Sequence, residues 1–238
     1  MRILTLALFA FTAPAVAQQQ TFSLPGSCTA FLTVQSSTCT VSHHFTCAND
    51  PTGVQGRVDL DQAGPVYIGS IDAEAQWINS FDPLSGSTET LVPGPVDPAS
   101  FTELTGTGTD GYDFEIANDQ AGTIHFVGRD TLTGNTVTID GITLEETEYQ
   151  IAALAEDGTE MWRTTGSEYI SRDWRMFMSG TSKTITPTDS FESDDSPVEF
   201  IFPGEPGFLS ANPKHGCGAV TSQADTDTPL IPVGFPAP

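Results

Sequence analysis

The residues best suited to chemistry in this chain are its four histidines and four cysteines. His43, Cys47, His215 and Cys217 form a set of imidazoles and thiols of the kind that holds zinc or copper, with Lys214-His215-Gly216-Cys217 as a loop able to supply two ligands. Thiols ligate metal only while unpaired. An even cysteine number behind an apolar leader favours two disulfides, so the expectation is no metal and no cofactor. His43 and His44 are neighbours in a β-like run and point to opposite faces, leaving at most one for any given site.

Hydrolytic chemistry has no motif to stand on. G-x-S-x-G and H-E-x-x-H are absent, and Ser182-Lys183 has no serine at S-x-x-K spacing, because Ser179 is one residue too far. Asp59-Leu60-Asp61 lacks the downstream glutamate of an EF-hand loop. The acids at Asp189, Glu192, Asp194 and Asp195, and at Asp110, Asp113 and Asp119, read as solvated loop residues rather than calcium ligands.

Charge placement is the most unusual feature. The chain carries 31 acids against eight Lys plus Arg, a net charge of -23. Arg163, Arg172, Arg175 and Lys183 nevertheless crowd one stretch, and two of the three tryptophans precede arginines there, as Trp162-Arg163 and Trp174-Arg175. Trp162, Arg163, Arg172, Trp174 and Arg175 are therefore the candidate ligand-binding residues, a basic, aromatic-bordered patch suited to an anionic group. The plainer reading pairs these cations with Glu145, Glu146, Glu148, Glu160 and Glu168 on neighbouring strands and is favoured. The acidic excess repels nucleic acid phosphates and anionic headgroups, so neither is an expected partner.

The elements that must position these groups begin after residue 17. Met1-Arg2, the apolar Ile3 to Ala13 and Ala15-Val16-Ala17 read as a signal peptide, 1–17, too short for the roughly 20 residues of a membrane span. The expected location is a bacterial periplasm or the medium beyond it. Residues 18–220 read as a single disulfide-stapled β domain, and 221–238 as a Pro-rich extended or disordered tail.

Thr29 to Val34 and Cys39 to Ala48 read as a hairpin turning at Gln35 to Thr38. Its geometry sets Cys28 and Cys39 at opposite ends and Cys39 and Cys47 eight positions apart, beyond the roughly 7 Å Cα reach of a disulfide. Cys28–Cys47 and Cys39–Cys217 remain.

Short alternating strands follow, separated by turn signals at Asp110-Gly111, Ala121-Gly122, Thr133-Gly134-Asn135, Asp140-Gly141 and Asp157-Gly158. The run from Thr143 to Gly180 carries the longest β pattern and reads as the central hairpin. One short helix is expected at 97–104, capped by Asp97 with Pro98 at its first position. The predicted fold is all-β and mainly antiparallel: a strongly curved meander sheet or barrel of roughly ten strands with that helix plugging an end. A two-layer β-sandwich is the alternative. The expected function is non-enzymatic binding of a small or apolar ligand in the concavity of the sheet. The alternatives are an envelope protein acting through protein contacts, and an extracellular hydrolase built on His125 or His215.

Overall fold

Residues 21–218 are described by the computed structural model; the leader at 1–17 and the tail at 221–238 lie outside the described residues. Thirteen strands form one antiparallel sheet in near-sequential order. They are β1 (Cys28–Ser36), β2 (Val41–Cys47), β3 (Gln55–Asp61), β4 (Gly64–Ile71), β5 (Trp77–Asp82), β6 (Ser87–Leu91), β7 (Thr109–Asn118), β8 (Gly122–Ile139), β9 (Ile142–Leu154), β10 (Glu160–Ser171), β11 (Met176–Ile185), β12 (Ser190–Asp194) and β13 (Pro197–Ile201). The helix α1 (Phe101–Thr107) lies between β6 and β7.

The single curved sheet answers the choice between a meander and a sandwich. Its order starts at β12 and runs back through the meander to β1, with β13 beyond it. The two edge strands do not pair, so the ladder is not closed, yet only Asp195 and Ser196 separate them in the chain. Asp195 donates its backbone N–H to Gly180 O on the β11 side at 2.9 Å. Ser37, at the end of β1, donates to Ser196 O at 3.0 Å. The curved sheet therefore wraps until its edges meet at a kinked junction.

Several boundaries differ from the sequence reading. The helix starts at Phe101, not 97, because Ser100 is the cap: its hydroxyl accepts the Glu103 N–H at 3.1 Å. Asp97 instead forms an isolated bridge with Asp113. Thr133-Gly134-Asn135 is not a turn but a bulge inside the long strand β8, where the pairing register with β9 shifts between Leu132 and Thr136. The acidic loop expected at 187–195 contains strand β12. The Thr143–Gly180 run is broken by a turn at 172–175, with Arg175 at φ 49°. The Thr143–Gly180 run also lies toward the β12 edge of the sheet order rather than at its centre.

The apolar alternation changes sides along the sheet. In β2 to β4, Val41, Phe45, Val58, Leu60 and Ile68 form one buried cluster. This cluster is covered by Phe22 and Leu24 of the lead-in and by Phe208, Leu209 and Ala211 near the far end of the described chain. Phe22 and Leu209 are joined by a 2.7 Å backbone hydrogen bond. In β7 to β10 the buried face carries Tyr112, Phe114, Ile116, Phe126, Ile151 and Ala153. Each fully buried aliphatic or aromatic side chain contributes about 1.5–3 kcal/mol to the hydrophobic term.

Disulfides hold the covering segments down. Cys28 and Cys47 face each other in register across β1 and β2 and are bonded. Cys39 bonds Cys217 over a separation of 178 residues. Such bonds belong to an oxidising compartment.

Candidate ligand-binding chamber

Two adjoining chambers, about 320 and 260 Å³, open inside the curved sheet and share Ala75, Trp77, Glu168 and Phe177 in their walls. Residues from opposite sides of the sheet order, His44 of β2 and Phe177 of β11, line the same space. That identifies the space as the interior of the curve.

The first chamber has a polar floor built by register. His44, Arg57, Gly69, Ser80 and Glu89 pair directly, one to the next, across β2 to β6 and so share a face. Arg57 Nε lies 3.2 Å from Asp59 Oδ1, two residues along the same strand face. The approach is off-axis, so neither atom gains a hydrogen bond among the described residues. The guanidinium sits 4.9 Å from the centre of the Tyr67 ring. Gly69 makes that ring position available, because a Cβ there would collide with the Tyr67 hydroxyl. Arg57 is 37 % accessible in its side chain, and that surface faces the chamber. His44 is held neutral beside it, its pKa driven down to about 3 by burial and then by the charge of Arg57.

The second chamber is aromatic and acidic. Tyr112, Phe114, Tyr149, Trp162, Trp77 and Phe177 supply rings, and Asp130 and Glu168 supply carboxyls. The Trp77 ring meets Phe114 and Phe126 edge-on at 5.7 and 5.5 Å and is 44 % exposed, which sets it at the mouth. Gly128 clears the space for Tyr112, whose ring a Cβ there would strike. Asp130 pairs across the ladder with Asp110 on one side and Tyr149 on the other. Like charges placed opposite each other repel, so both carboxyls resist ionisation. Burial first, and Asp110 second, raise the Asp130 pKa to about 7. Burial also raises Asp110 to about 6 although the Ser100 N–H donates to it. Glu168 is pushed to about 8 by burial and then by Asp130, with Arg57 pulling the other way. The side-chain carboxyls of Asp130 and Glu168 accept no hydrogen bond among the described residues, whereas Asp110 accepts the one from Ser100.

Helix α1 closes one end. Phe101 and Leu104 are buried against Ala75 and Ile170, and Phe101 meets Phe177 edge-on at 5.9 Å. Arg175 latches this corner, bonding Ala73 O and Glu74 Oε1, both at 2.9 Å, and lying 5.0 Å above the Phe101 ring.

The five residues proposed from sequence are scattered. Trp162 lines the second chamber. Arg163 is exposed and pairs with Glu160, and Arg172 pairs with Glu145. Trp174 packs against Phe200 and Phe202 at 5.6 and 6.1 Å, away from the chambers. Arg175 is taken up by the helix latch. Each arginine of the five has a carboxylate partner, two of them the glutamates named from sequence. Cys47 and Cys217 are spent in disulfides, His43 Nδ1 bonds the Thr33 hydroxyl at 2.9 Å and His215 bonds Glu199, so the zinc or copper set is not assembled. His125 bonds Asp113 at 2.7 Å, and no serine hydroxyl joins it or His215 among the described residues.

Arg57 and Asp130 went unread in the sequence and Glu168 was read only as a partner for the clustered cations, yet a signal was present. The inward series Ile124, Phe126, Gly128 and Trp162, Thr164, Gly166 continue at period two into Asp130 and Glu168. An acid on the apolar side of a strand pattern marks a buried charge. Comparison of the chain with known protein families, with curated proteins and with solved structures finds no match.

Proposed function

We propose that this protein is exported to a bacterial periplasm or beyond and binds a small amphipathic molecule in the chambers of its curved sheet, without catalysing a reaction. The supporting observation is the wall itself: aromatic rings interrupted by a few polar groups, of which the Glu168 and Asp130 side chains have no hydrogen-bond partner among the described residues. Ligand sites have this make-up, largely apolar with a few convergent polar groups. A buried polar group left unpaired costs about 1–3 kcal/mol, so a ligand that satisfies it recovers that loss.

Thermal unfolding against a panel of neutral, cationic and anionic probes tests the proposal: tert-butylbenzene, phenyltrimethylammonium, benzoate and decanoate. A probe at about 100 times its Kd stabilises by about 2.7 kcal/mol, which raises Tm by about 5–10 °C in a chain of this size. Ala99→Trp, which fills the second chamber from the helix side, should abolish the rise while leaving the strands in place. No rise with any probe, or an equal rise in Ala99→Trp, sinks the proposal.

A further inference from the structure

We propose that the second chamber selects an organic cation, an amine or quaternary ammonium carried on a small apolar body. This rests on the chamber being a ligand site and goes on to name the ligand's chemistry. Rings stand around the space from separate strands: Trp77 from β5, Phe114 from β7, Tyr149 from β9, Trp162 from β10 and Phe177 from β11. Aromatic faces attract a cation through the ring quadrupole, and a cage of several is the usual receptor for alkylated ammonium groups.

Two carboxyls add the second, independent observation. Asp130 is buried, with 7 % of its surface exposed, Glu168 is half-buried at the chamber wall, and neither side chain has a hydrogen-bond partner among the described residues. No lysine or arginine lines this chamber. Arg57 belongs to the first one, where Asp59 and the Tyr67 ring already face it. An anion would meet two like charges here. A neutral apolar guest would leave both carboxyls desolvated, with only Arg57 giving partial relief to Glu168. A cation satisfies the carboxyls and the rings together.

Phenyltrimethylammonium and tert-butylbenzene have the same shape and differ in one positive charge, so their titration into the purified protein isolates that charge. At about pH 8, where the carboxyls ionise, the cation should bind at least about tenfold more tightly. In Asp130→Asn/Glu168→Gln the ratio should fall by about threefold or more, to what the rings alone supply, with tert-butylbenzene affinity kept within about twofold. If the double variant does not fold, each single variant should lower the ratio. Equal affinities in the unaltered protein overturn the cation proposal and leave the chamber standing. A preference undiminished by the substitutions shows that the two carboxyls do not hold the cation and also overturns it. Binding of neither probe overturns both readings.

Discussion

Replacing Cys39 and Cys217 together with alanine is expected to lower unfolding stability by about 4–5 kcal/mol, against about 3 kcal/mol for Cys28 and Cys47. The separations, 178 and 19 residues, set that order, because the longer loop restrains far more of the unfolded chain. The native structure acts in the same direction. Cys28 and Cys47 are already register partners in a hairpin, so their bond repeats what the ladder holds. Cys217 anchors the segment whose Phe208, Leu209 and Ala211 cover the outward apolar face of β2 to β4. That segment is otherwise held by a few hydrogen bonds, among them Phe22 N–H to Leu209 O at 2.7 Å, Cys39 N–H to His215 O at 2.8 Å and Lys214 N–H to Gln35 Oε1 at 2.9 Å. Calorimetry of the two double variants checks the order. In a chain of this size the Cys39/Cys217 variant should melt roughly 8–20 °C lower. An equal or smaller loss than for Cys28/Cys47 would show that the covering segment holds without its tether.

The second large effect is a stability that is greatest near about pH 4–5 and falls as pH rises above it. Glu168, Asp130 and Asp110 have native pKa values raised to about 8, 7 and 6. A raised carboxyl keeps its proton in the folded protein where the unfolded chain has released it. Its stabilisation is full below the ordinary carboxylate range and is lost as pH rises through the native value. His43 and His44 act from the other side, their pKa values lowered by burial to about 4 and 3. Their stabilisation is full above the ordinary imidazole value and fades as pH falls through those native values. Between pH 6 and 9 the carboxyls should together remove about 2–4 kcal/mol, at about 1.4 kcal/mol per unit and proton, with the partial charge relief from Arg57 limiting the fall. Glu168→Gln should flatten much of that alkaline limb and make the variant the more stable protein at about pH 9. Denaturant titrations across pH read this directly. Stability that rises from pH 6 to a plateau at 8 would mean these carboxyls are solvated.

How far the sequence could be read follows from where its alternation was informative. The hairpin of β1 and β2 was legible because Cys28 and Cys47 bracket it and Gln35 to Thr38 break it, and the disulfide pairing followed from that geometry. Asp140-Gly141 and Asp157-Gly158 marked real turns for the same local reason, with Asp140 at φ 47° and both glycines at positive φ. The interior site was not legible, because alternation says that one strand face is buried but not whether that face points into the curve or out of it. In β3, Val58 and Leu60 face outward beneath the terminal segments, so Arg57 lines the chamber, with Asp59 beside it along the same strand face. In β7 to β10 the apolar face points inward, and the same rule would have succeeded there. Arg172 and Arg175 drew attention as a concentration of charge. Glu145, expected from the sequence as a cross-strand partner, neutralises the first at the surface, and Glu74, 101 residues away in the chain and beyond any local pattern, neutralises the second.

The three tryptophans separate the interior chamber from the surface patch in a single measurement. Trp77 and Trp162 line the second chamber, whereas Trp174 lines neither chamber and packs against Phe200 and Phe202. Indole N–H resonances, assigned by substituting each tryptophan in turn, can be followed while tert-butylbenzene or phenyltrimethylammonium is added. The resonances of Trp77 and Trp162 should move together and saturate at one equivalent of probe, with that of Trp174 unchanged. Movement of Trp174 alone, or of none of the three at saturating probe, would contradict the chamber as the binding site.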